Sequence, residues 1–137
     1  MIVSITFLEL KDYIKRHFGK IVNLAKVSDH EVCISYTQKI IFKTVDVPVN
    51  VSIDNVGPSS IWVTYGGGFG IDMIVAGVLA FIKGKFPELN DVLRSGDNRQ
   101  LCINLSSMSN IQTLFERVEM TGISVHEDHF EARMALL

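Results

Sequence analysis

The sequence predicts an α+β domain: a strongly curved antiparallel sheet of about six or seven strands packed on one long apolar helix, with two shorter helices beside it. Three observations predict it. Residues 20–65 alternate apolar and polar positions and are rich in β-branched residues, the pattern of half-buried strands. Ile71 to Phe86, IDMIVAGVLAFIKGKF, is entered through a glycine run and stopped by Pro87, with almost no polar face. Residues 99–136 then add a strand, a short amphipathic segment and an alternating hairpin.

The elements follow in order. Thr6 and Glu9 form a capping box ahead of Phe7, Leu10, Ile14 and Phe18, and Gly19 is a natural stop, so the first helix spans Phe7 to Phe18. Strands are expected at residues 21–24, 32–36, 40–42, 47–53 and 61–65, with turns at 28–30 and 54–60. Pro48 lacks an N–H and marks an edge or bulge. A helical turn is expected at Asp91 to Arg94 and a strand at Arg99 to Leu105. Ser109 and Gln112 form a second capping box before Ile111, Leu114, Phe115 and Val118, the stripe of a short helix. Val118 to Val125 and Phe130 to Leu136 close the chain as a hairpin.

At 137 residues the chain fits one domain, residues 1–137, with a substantial core. Its 47 % hydrophobic content and mean hydropathy of +0.27 are high, which implies an oversized core or an apolar surface kept for a partner. The run Ile71 to Ile82 is well short of the roughly 20 residues that span a bilayer, so no transmembrane segment is expected. A net charge of -2 without a basic block argues against nucleic acid as a partner. Cys33 and Cys102 lie in apolar strand-like runs and make no disulfide framework. With no export signal, a reduced, cytoplasmic protein is expected.

No catalytic constellation emerges. The glycines at 66, 67, 68 and 70 fit neither a dinucleotide fingerprint nor a P-loop, and are explained by backbone freedom at a turn or hinge. His126, Glu127, Asp128, His129 and Glu131 have the chemistry of metal ligands, but in a solvated hairpin turn adjacent residues point apart, so no metal and no cofactor is expected. His17 and His30 lack partners for nucleophilic chemistry, and capping accounts for Ser109.

Residues 98–136, NRQLCINLSSMSNIQTLFERVEMTGISVHEDHFEARMAL, resemble the closing part of tubular lipid-binding domains, the superfamily of the bactericidal/permeability-increasing proteins. The upstream order of hairpin 49–65 and apolar helix 71–86 is similar to that layout as well. The resemblance covers about residues 49–136 and implies a noncatalytic protein with an elongated apolar cavity lined by its buried helix.

Composition and pattern together favour a binding role over an enzymatic one, with a lipid or other apolar small molecule held between helix 71–86 and the concave sheet face. Ile74, Val78, Phe81 and Ile82 share one helical face and are the expected lining residues. The alternative is an interaction module or homo-oligomeric subunit, such as a homodimer, with no ligand.

Overall fold

A computed structural model describes the backbone of residues 1–137 and the side chains of all but residues 38–40. Its elements are β1 (Ile2–Thr6), α1 (Phe7–Phe18), β2 (Val22–Ser28), β3 (Glu31–Ile40), β4 (Lys43–Val56), β5 (Ser60–Gly67), α2 (Ile71–Lys85), β6 (Leu93–Ser95), β7 (Gln100–Asn104), β8 (Val118–Val125) and β9 (His129–Leu136), with single 3-10 turns at Pro87–Asn90, Leu105–Ser107 and Leu114–Glu116. Among the described residues the strands form two antiparallel sheets, a six-stranded one in the order β2-β3-β4-β5-β7-β6 and a three-stranded one in the order β1-β9-β8.

The α+β composition and antiparallel pairing stand, but the expected single curved sheet wrapped on a long apolar helix does not. The final hairpin recruits β1, with Ile2 to Thr6 running antiparallel to Arg133 to His129, and builds a sheet of its own. That small sheet packs on one face of the large sheet through two clusters. One joins Phe7, Val32 and Val125 with Phe130 and Ile53, and the other joins Val118, Met120 and Met134 with Val56 and Ile61. Backbone bonds from Val125 to the Asp29 carbonyl and from Met120 to the Pro58 carbonyl, both 2.8 Å, tie β8 to turns of the large sheet.

The helix at Ile71–Lys85 is 15 residues long and is not enclosed, since only Ile71 and Val75 are buried. Part of the reason is side-chain size. Ala76, Ala80 and Gly84 are exposed, so part of the outward surface is small rather than polar and water covers it at little cost, while Met73, Val78 and Phe81 are exposed along an opening between this helix and the large sheet. The third helix expected near residues 111–118 is absent. Val118 is drawn into β8 opposite Leu136, and the residues left are too few to nucleate an α-helix, so a 3-10 turn at Leu114–Glu116 remains, with Phe115 packed against the Met120 cluster. The strand expected at 40–42 is interrupted: Ile41 and Phe42 form the exposed tip of the β3–β4 hairpin.

Local signals hold where they are self-contained. Thr6 and Glu9 exchange both capping-box hydrogen bonds, and Gly19 closes α1 at φ 67°. Pro48 pairs with Ser35, while β4 meets β5 only from Val49 onward, so the proline sits where β4 leaves its second neighbour and becomes an edge.

Candidate functional site

Strand register places Val22 opposite Tyr36 and Leu24 opposite Ile34, so these four side chains share one face of the large sheet. The small sheet covers only part of that face. Over the remainder lie the C-terminal end of α1 and the helix α2, and between them is a half-open cavity of about 550 Å³. Its floor is Val22, Ile34 and Tyr36, one wall is Ile14 and Phe18 of α1, and the other is Met73, Ile74, Gly77, Val78, Phe81 and Ile82 of α2. Lys20 stands in the same lining. The volume falls within the range usual for small-molecule sites, and the predominantly apolar lining with few polar groups is their usual character.

All four residues expected from the sequence, Ile74, Val78, Phe81 and Ile82, line this one cavity. The floor and the α1 wall were not anticipated. The alternation of Val22, Leu24, Ile34 and Tyr36 carried the signal, since it assigns those residues to one sheet face. Phe18 contacts both Phe81 and Phe86, at centroid separations of 6.4 and 5.2 Å, and so links the two helices. The Lys20 ammonium stands 5.0 Å from the Phe81 ring centroid and 6.0 Å from that of Tyr36, a cation over aromatic faces within the lining.

Two contacts fix where α2 begins. Gly67 has no side chain, and Ile71 packs directly over it: a Cβ there would stand 2.8 Å from the Ile71 terminal carbon. Asp72 accepts hydrogen bonds from Arg99 Nε at 3.0 Å, from the other end of that guanidinium at 3.1 Å, and from the Tyr65 hydroxyl at 3.2 Å. The Arg99 bonds, aided by Tyr65, outweigh partial desolvation and hold the Asp72 carboxyl below its usual pKa. Gly70, at φ 81°, supplies the left-handed residue that turns the chain into the helix.

A second polar cluster lies in the β8–β9 hairpin. The expectation that residues of this turn point apart fails for His126 and His129. They flank a two-residue turn and face each other, their rings stacked at 4.5 Å and 3°. His126 Nε2 lies 3.1 Å from Glu131 Oε2, and His129 Nε2 lies 3.1 Å from Glu131 Oε1. His129 Nδ1 bonds Asp128 at 2.6 Å; with Glu131 this raises the His129 pKa, and the same contacts lower those of both carboxyls. His17 packs beside Tyr13 with its ring tilted, apart from this cluster.

Cys33 and Cys102 are both free thiols. Among the described residues no helix is long and apolar enough to cross a membrane. No protein-family profile, curated protein or solved structure matches this chain.

Proposed function

We propose that this protein binds an apolar small molecule of the lipid class, its hydrocarbon portion lying between α2 and the large sheet and its polar end at Lys20. The observation that carries this reading is the cavity of about 550 Å³, walled by aliphatic and aromatic side chains and open to solvent on one side. A filled core has few voids larger than a water molecule. Lys20 is the charged residue of the lining, which favours an amphiphile with an anionic head. The resemblance to tubular lipid-binding domains points to the same ligand class but assigns no position, so the cavity is the stronger support.

The test is native mass spectrometry of the purified chain, followed by titration with a long-chain fatty acid, for the parent and for Val78→Trp. The bulkier ring should fill the cavity and weaken uptake at least about tenfold, roughly 1.4 kcal/mol, with the fold retained. Failure of the parent to bind, or equal binding by Val78→Trp, overturns the assignment. The same spectra report subunit number. A ligand-free dimer would favour the interaction-module reading, which the full exposure of Phe69 and the 83 % exposure of Met73 support.

A further inference from the structure

We propose that His126, His129 and Glu131 form a binding site for a divalent transition-metal ion of the Zn²⁺ type, with Asp128 orienting His129. Strand register supplies the three ligands. Ser124 pairs with Glu131 and Val125 with Phe130, so His126 and His129 fall on the same face as Ser124 and Glu131, while Val125 and Phe130 face the core. One donor atom from each of the three residues lies within 4.8 Å of the other two.

A tetrahedral zinc with bonds of about 2.1 Å holds its ligand atoms about 3.4 Å apart. Both histidine-to-carboxylate separations, at 3.1 Å, are already within a few tenths of an ångström of that. The three candidate donor atoms, one from each residue and all within 4.8 Å of one another, then have to close by no more than about 1.4 Å, within reach of ordinary side-chain rotation. The outer shell is present as well. The bond between His129 Nδ1 and Asp128, 2.6 Å long, fixes the ring so that Nε2 faces Glu131, the carboxylate–histidine arrangement common behind zinc ligands.

The backbone beneath is held on several sides. The His126 N–H donates to the His129 carbonyl, Phe7 N–H to the Asp128 carbonyl and Val125 N–H to the Asp29 carbonyl, each at 2.8 Å. On the far side of β9, Thr6 pairs with His129 and Ser4 with Glu131. Side-chain exposures of 40 % for His126, 27 % for His129 and 28 % for Glu131 leave an ion free access from solvent and a fourth position for water. Two imidazoles with one carboxylate suit Zn²⁺, Co²⁺, Ni²⁺ or Cu²⁺ and not Ca²⁺ or Mg²⁺, which take oxygen ligands.

The experiment is a Zn²⁺ titration of the full chain by calorimetry, with Co²⁺ as a spectroscopic probe and Mg²⁺ as a control. Wild type should take up one Zn²⁺ per chain and give a cobalt visible spectrum of the tetrahedral type, with no Mg²⁺ binding. His126→Ala, His129→Ala and Glu131→Gln should each weaken Zn²⁺ binding at least about tenfold, and Asp128→Asn by about 10 to 100-fold. His17→Ala should leave it unchanged. Circular dichroism confirms that each variant folds; the surface changes Glu131→Gln and Asp128→Asn serve if a histidine variant does not. Absence of saturable Zn²⁺ binding by the wild type, or equal affinity in the ligand variants and His17→Ala, overturns the site.

Discussion

Truncating Phe81 separates a ligand wall from an ordinary core position. The residue is 41 % exposed, so about three fifths of it is covered in the folded protein. Full burial of a phenylalanine is worth up to about 3 kcal/mol, which puts the lost transfer energy at about 1 to 2 kcal/mol. No cavity penalty adds to it, because the ring already borders open space. The Lys20 ammonium 5.0 Å from the ring contributes about 0.5 to 1 kcal/mol more, so Phe81→Ala should cost about 2 kcal/mol. Ile71, 2 % exposed and packed over Gly67, is the comparison: Ile71→Ala should cost about 2 to 5 kcal/mol. Urea melts of both variants supply the free energies, and titration with an apolar fluorescent dye supplies the binding. The expected pattern is the smaller stability loss and the larger loss of dye affinity at Phe81. A loss at Phe81 of about 3 to 5 kcal/mol, the range for truncating a filled-core phenylalanine, with dye uptake unchanged, would refute the reasoning.

Two further outcomes follow from how α2 is attached. Asp72 has its carboxyl pKa lowered by Arg99, so the stability it contributes is complete above the unfolded value of about 3.9 and is lost as pH falls through the lower folded value. Acid titration monitored at α2 amides by NMR should therefore show loosening at and below about pH 4, and Asp72→Asn should flatten that part of the profile; an unchanged profile would reject the link. Gly67→Ala would restrict the unfolded chain, a gain of about 0.4 to 1 kcal/mol, but overpacking against Ile71 costs about 1 to 3 kcal/mol. The Pro48 carbonyl, 3.1 Å from the added carbon, leaves little room on the other side. Net destabilisation in a thermal melt is expected, and a raised melting temperature would contradict it.

What the sequence disclosed was local. The Thr6–Glu9 capping box and Gly19 fixed the limits of α1 because every group involved lies within a few residues of another. The face of α2 that lines the cavity was legible from helical spacing for the same reason. β1 was not, since Ile2 to Thr6 becomes a strand only by pairing with residues 129–133 at the other end of the chain. The enclosure expected for α2 did not form, because its outer side is partly Ala76, Ala80 and Gly84, which bury little area when covered. For His126 and His129 the signal was present and misapplied: neighbours in a strand point apart, but residues flanking a two-residue hairpin turn are partners on one face.

The uneven core explains why a chain this apolar leaves a cavity. The clusters around Val125 and around Met120 join the two sheets, and beneath α2 the apolar side chains form walls that touch at Phe18 and Phe81 and leave space between them elsewhere. Any ligand that fills that space adds the missing contacts to the folded state alone. At one hundred times its dissociation constant it would stabilise the fold by about 2.7 kcal/mol, slightly more than the expected cost of Phe81→Ala. On the proposed function, α2 is therefore the element whose stability depends most on the occupant. Ligand should protect its amides from exchange more than those of β8 and β9, which the two clusters already hold.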